Sequence, residues 1–314
     1  MIGRRRAAEG SVDLSVQVGS VRLPNPVMTA SGTAGHGAEL GAYVDLGSLG
    51  AVVVKSLSAE PWPGNPPLRV HQTPAGMINS VGLQGPGVDA WLTDDLPSLL
   101  AAGARVVVSI WGRTVDEYRA AAESIAQAPD EVVAVEVNLS CPNLSGHGIF
   151  AQSATDSAAV IEATAVCGRP RWAKLTALVT DLPAVAGAVL DAGAEAITLI
   201  NTVPGLVLDV EARRPILGGG SGGLSGPAIH PIAVKAVHDC RAAHPDAAIV
   251  GVGGIATGTD AVEMIMAGAD AVQVGTATFA DPRAVAKVLR RVERWCHDHH
   301  ITRISELKGT AHDR

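Results

Sequence analysis

The sequence predicts an α/β protein built as a (β/α)8 barrel, with a short N-terminal β-hairpin and long rim loops. Three observations predict it: a glycine junction that recurs ahead of apolar runs, eight such runs in 314 residues, and helical periodicity between them. The junction reads Leu49-Gly50-Ala51, Ala102-Gly103-Ala104, Ala192-Gly193-Ala194 and Ala267-Gly268-Ala269. Each Gly suits the left-handed turn that ends a helix. The runs that follow, such as Val106-Val107-Val108-Ser109 and Ala271-Val272-Gln273-Val274, are short and mostly apolar. That is the pattern of parallel strands buried on both faces.

In chain order, Val12 to Leu23 alternates around a Gly19-Ser20 turn and predicts a hairpin that caps the barrel bottom. Strands are expected to start near Val27, Ala51, Val106, Val132, Trp172, Ala196, Ile249 and Ala271. Helical faces lie between them: Val115, Tyr118, Ala122 and Ile125; Leu182, Val185 and Val189; Ile229, Ala233, Val237 and Cys240; Val262, Ile265 and Met266. Thr257 and Thr259 stand where an N-cap would start the last of these. Eight β-α units suit a barrel of ~250 residues or slightly more, and an open doubly wound sheet is the alternative. A single domain over residues 1–314 is expected, with residues 1–11 as a tail.

Hydrophobic residues make up 47% and aromatics only 3%, so aliphatic side chains must fill the core. A net charge of −7 argues against a nucleic-acid or anionic-membrane surface. Arg4, Arg5 and Arg6 read as part of a solvated tail. Ala7 to Ser20 holds no apolar signal core, and no stretch is long enough to span a bilayer, so a cytoplasmic protein is expected. The four cysteines are far apart, with no C-x-x-C framework, so no metal centre is expected.

In such a barrel, chemistry gathers at the C-terminal strand ends. These ends carry Ser31-Gly32, Lys55-Ser56, Asn138-Leu139-Ser140-Cys141-Pro142-Asn143, Lys174, Ile200-Asn201-Thr202, Gly253-Gly254 and Gly275-Thr276. Two carboxamides can grip a planar substrate by its amide edges. A cysteine between them suits a proton carrier or nucleophile, or else a small buried side chain. Lysines in apolar strands are costly unless they meet an anion or an electron-rich ring. The glycines after strands seven and eight, with a helix starting near Gly258, form a candidate phosphate cradle. Two long loops, Leu57 to Gly87 and Val203 to Gly226, complete the rim and bring Asn79 and Ser80 toward the mouth.

These stretches, with Asn25-Pro26-Val27-Met28 and Gly222-Gly223-Leu224-Ser225-Gly226-Pro227, resemble the class 1 dihydroorotate dehydrogenases from about Val12 to His312. The Leu224-Ser225-Gly226-Pro227 version resembles subclass 1B, a catalytic subunit working with an iron–sulfur and FAD subunit to reduce NAD. The resemblance implies a TIM barrel binding FMN and oxidising dihydroorotate to orotate. It implies Cys141 as the base at C5, with hydride passing to FMN. Lys55, Asn79, Ser80, Asn138, Asn143, Asn201 and Thr202 would hold the substrate. Ser31, Gly32, Lys55, Ser56, Asn138, Lys174, Ile200, Ser225 and Gly226 would line the flavin, and Gly253, Gly254, Gly275 and Thr276 its phosphate. FAD and a [2Fe-2S] cluster would sit only on the partner, in a heterotetramer built on a homodimer.

The chain departs from the resemblance at Ala34-Gly35-His36, where an aromatic is usual, and in the flap Leu144 to Phe150. His36 and His147 are expected to be solvated loop residues. The rival readings are a fumarate-using class 1A enzyme, a dihydropyrimidine dehydrogenase-like flavin barrel, a non-redox sugar-phosphate barrel and a silent subunit. Asn143 after Pro142 favours dihydroorotate over the pyrimidine rival, where a His is familiar.

Overall fold

The computed structural model describes residues 12–140 and 148–312. In chain order the strands are β1 Val16–Val18, β2 Val21–Leu23, β3 Val27–Thr29, β4 Val52–Val53, β5 Val70–Thr73, β6 Gly76–Asn79, β7 Val106–Ile110 and β8 Val132–Asn138. They continue with β9 Arg171–Leu175, β10 Ala196–Leu199, β11 Val203–Gly205, β12 Leu208–Asp209, β13 Arg214–Pro215, β14 Gly222–Ser225, β15 Ala248–Val252 and β16 Ala271–Val274. Eight of them form one parallel sheet in the order β3-β16-β15-β10-β9-β8-β7-β4. Every barrel strand starts within one residue of its expected position.

The seam between β3 and β4 is joined in part by a side chain. Gly50 N–H donates to the Val27 carbonyl at 2.9 Å and Thr29 N–H to that of Ala51 at 3.3 Å. The Thr29 hydroxyl donates to the Val53 carbonyl at 3.2 Å and accepts from Val53 N–H at 2.8 Å. The sheet thus curls into a nearly closed (β/α)8 barrel.

Side chains alternate across each strand, so every second residue enters the barrel. The lower interior layer is apolar: Met28, Val53, Val107, Ala134, Trp172, Ala196, Val250 and Ala271 are all buried together. Val18, Val21 and Leu23 of the β1–β2 hairpin close this plug from below, as expected. Two residues further along the strands the character changes. Ser109, Glu136, Lys174, Thr198 and Gln273 are all buried polar residues. A polar layer therefore floors the mouth.

Helices Val115–Ile125, Ala154–Ala163, Leu182–Asp191, His230–Ala243, Gly258–Met266 and Ala284–Asp298 surround the sheet. Thr114, Ser153, Asp181 and Thr257 each accept the N–H three residues on, which satisfies a first-turn donor. Thr257 is the cap of its helix, and Thr259 lies inside the first turn. Gly103, Gly193 and Gly268 adopt positive φ, as their junctions predict. Gly50 does not. There a side chain is excluded because a Cβ would lie 2.5 Å from the Asn25 carbonyl oxygen.

The two rim segments are more ordered than loops. They pair into a four-stranded antiparallel sheet, β11-β14-β6-β5, standing over the mouth. Gly223 faces Asn79 and Ser225 faces Met77 in its register.

Candidate active site at the barrel mouth

The strand-end side chains form one hydrogen-bonded chain. Ser31 Oγ lies 3.2 Å from Ser56 Oγ, which lies 2.8 Å from Ser109 Oγ. Asn138 Nδ2 donates to Ser56 Oγ at 3.3 Å, and Asn138 Oδ1 accepts from Asn201 Nδ2 at 3.0 Å. Asn201 Oδ1 accepts from Thr202 N–H at 2.8 Å, which fixes that amide as well. The Tyr118 hydroxyl donates to the Asn138 carbonyl at 2.6 Å and pins the end of β8. Two oriented carboxamides thus meet at the mouth, and Ile200 is buried beside them. Asn79 is held separately, donating to the Gly223 carbonyl at 3.3 Å across the rim sheet. Ser80 Oγ accepts from Asn65 Nδ2 at 2.8 Å.

The two lysines differ. Lys174, inside β9, donates to Glu136 Oε1 at 3.1 Å. Lys55 lies two residues beyond β4, not within a strand, and has no ion-pair partner among the described residues. Burial holds its ammonium below the usual lysine range, and the Arg69 charge pushes it the same way. A Cβ on Gly32 would come 3.8 Å from Lys55 Nζ, so the two share one corner. A half-buried cation of this kind, unpaired among the described residues, suits an anionic ligand.

His36 borders the same corner and is not a solvated loop residue. Its Nε2 is buried and without a hydrogen bond among the described residues. Burial and then the Lys55 charge lower its basicity, while Asp95 and Glu39 act in the opposite sense.

The glycines at the far side make a close-fitting cradle. Gly226 and Gly254 have φ of 95° and 68°, where a side chain is strained. A Cβ on Gly254 would lie 2.9 Å from the Gly226 oxygen, and one on Gly226 would lie 2.7 Å from Gly76 Cα. The Ser225 hydroxyl accepts from Thr276 Oγ1 at 2.8 Å, which ties this loop to the end of β16. His230 lies behind the cradle, its ring nitrogens 2.8 Å from the Gly253 carbonyl and 3.1 Å from Glu263. These glycines border a cavity of about 760 Å³ that also meets Met77, Ile255, Lys287 and Arg291. The helix at Gly258 contributes less than expected. The N–H groups of Ala256 and Thr257 are already taken by Asp260, at 2.9 and 2.7 Å.

Cys141, Asn143 and His147 lie outside the described residues, as does most of the flap. Both ends of that segment are anchored: Leu139 N–H donates to the Lys174 carbonyl and Ala151 N–H to that of Leu139. The other cysteines are buried and inert. Burial pushes the thiols of Cys240 and Cys296 up to about 12 and about 11.

The dihydroorotate dehydrogenase family model matches residues 13–295. The chain belongs to the dihydroorotate dehydrogenase family. Among its curated relatives is the dihydroorotate dehydrogenase B (NAD(+)) catalytic subunit of Desulforudis audaxviator, 47% identical over 96% of this chain and 98% of that one. The same-named proteins of Pelobacter propionicus and Geotalea uraniireducens are 43% and 44% identical, over 95% and 96% of this chain and 98% of each relative. Dihydroorotate dehydrogenases depend on a flavin. The mouth suits one: the glycine cradle excludes side chains where a phosphate would approach, and the strand ends of the same barrel carry Lys55, Lys174 and the amides of Asn138 and Asn201. No helix among the described residues is long and apolar enough to cross a membrane.

Sequence reasoning missed Glu136, and also Ser109, Gln273 and His230 as part of the site. The signal was present. Glu136 precedes Asn138 by two residues, so both enter the barrel from β8.

Proposed function

We propose that this chain oxidises (S)-dihydroorotate to orotate in pyrimidine biosynthesis, as the FMN-binding catalytic subunit of an NAD-linked enzyme. The observation that carries this reading is that the barrel mouth holds both a cation without an ion-pair partner among the described residues, Lys55, and the oriented amides of Asn138 and Asn201. Dihydroorotate offers a carboxylate to the first and a ring of carbonyl and N–H edges to the second. A neutral dihydropyrimidine would leave the half-buried Lys55 without a counterion.

When bound, the flavin supplies the two-electron acceptor. The chain supplies position and proton handling. Lys55 takes the substrate carboxylate, while Asn79, Ser80, Asn138, Asn143, Asn201 and Thr202 hold the ring edges. Cys141 removes the C5 proton as its thiolate. An ordinary cysteine has a pKa of ~8.5, so Cys141 works as the minority thiolate near neutral pH or with a lowered pKa. Ser31, Gly32, Ser56, Ile200, Lys174, Ser225 and Gly226 line the cofactor ring and chain, and Gly253, Gly254, Gly275 and Thr276 its phosphate. Electrons leave through a partner subunit carrying FAD and a [2Fe-2S] cluster, in a heterotetramer built on a homodimer. A single cytoplasmic domain over the whole chain is part of this reading.

The reading is tested with the purified, FMN-loaded chain and a redox dye in anaerobic buffer. Dye reduction should require dihydroorotate and yield one orotate per two electrons. Turnover of dihydrouracil in its place would contradict it.

A further inference from the structure

We propose that Glu136 and Gln273 are positioning residues that hold Lys174 as half of an ion pair and so lower the reduction potential of the bound flavin. The inference rests on the flavin reading above and adds the residues that tune the cofactor.

Glu136 is fully buried inside the barrel, and Lys174 nearly so. Glu136 Oε1 accepts from Lys174 Nζ at 3.1 Å, and Oε2 accepts from Gln273 Nε2 at 2.6 Å. The second bond crosses the lumen, because β16 and β8 are separated in the sheet by β15, β10 and β9. A carboxylate only accepts, so the Gln273 amide must turn its NH2 toward it. Its Oε1 is then left buried and without a partner among the described residues, as observed. A buried amide oxygen left unpaired is costly, so the amide orientation is dictated by Glu136.

Lysine alone at the floor of a flavin site is a positive charge that favours the more negative, reduced flavin. Glu136 at 3.1 Å cancels most of that field, because the pair acts as a dipole whose influence falls faster with distance. Gln273 moderates the carboxylate by donating to it. A lowered potential suits a flavin that must pass electrons onward to an acceptor of low potential.

The test compares FMN-loaded wild-type protein with Glu136→Gln and Gln273→Leu, measuring the flavin midpoint potential against reference dyes without substrate. E136Q should raise the reduced-to-oxidised ratio about tenfold at fixed potential, an upward shift of about 30 mV for a two-electron couple. Q273L should move the ratio the opposite way by about threefold, since the carboxylate loses a donor. An unchanged potential in E136Q, or shifts of the same sign in both variants, would overturn the proposal. Should E136Q not fold, the sign of the Q273L shift decides. A wild-type chain that takes up no FMN would instead overturn the flavin reading itself.

Discussion

Lys55 carries the sharpest pH dependence expected of the site. Burial and Arg69 depress its pKa in the free protein, so the cation is present below that lowered value and lost as pH rises through it. A bound carboxylate raises the pKa again, and binding takes up a proton between the two values. Affinity for orotate should therefore fall as pH rises through this window, and Lys55→Met should both weaken binding and flatten the profile. Titrations of orotate against flavin absorbance at several pH values measure it; an equally steep profile in the variant would assign the titration elsewhere. Cys141→Ala should keep FMN yet lose turnover by about 10²–10⁴-fold, the usual worth of a general base. Unchanged steady-state rates would remove Cys141 from that role. Lysines and asparagines at strand ends were legible because such residues are conspicuous in apolar runs. Their partners were not: Glu136 meets Lys174 on the neighbouring strand, but its bond to Gln273 spans 137 residues and three intervening strands, and only the curl of the barrel brings those two together.

At the scale of elements, the mouth depends on tight turns and the rim sheet. Gly254→Ala places a methyl 2.9 Å from the Gly226 oxygen at a φ of 68°. It should release FMN readily in gel filtration while leaving the helical circular dichroism signal intact. A variant that retains stoichiometric FMN would show that the cradle tolerates the methyl. The strand starts and the Thr257 cap could be read from local patterns, since capping and alternation act over a few residues. The rim sheet could not. β6 pairs with β14 across more than 140 residues, and Gly222-Gly223 carries little strand signal in sequence. Asp260 shows the same limit, because its capture of the Ala256 and Thr257 N–H groups depends on a side-chain rotamer that sequence does not display.

For the whole molecule, the apolar plug under the polar floor holds the barrel in shape. Trp172 is fully buried at its centre, so Trp172→Ala should cost about 3–5 kcal/mol, read as a lower urea midpoint at unchanged m-value. A loss below 1 kcal/mol would show that the plug repacks freely. The isolated chain should reduce a dye with dihydroorotate but not NAD, and adding an iron–sulfur and FAD subunit should restore NAD reduction. This mouth is expected to bind a flavin that dihydroorotate reduces. An anaerobic titration of the FMN-loaded chain with dihydroorotate, followed by visible absorbance, tests it most directly. Bleaching should be complete near one equivalent, with orotate as product; a yellow protein that stays oxidised through excess dihydroorotate would mean that dihydroorotate is not its reductant.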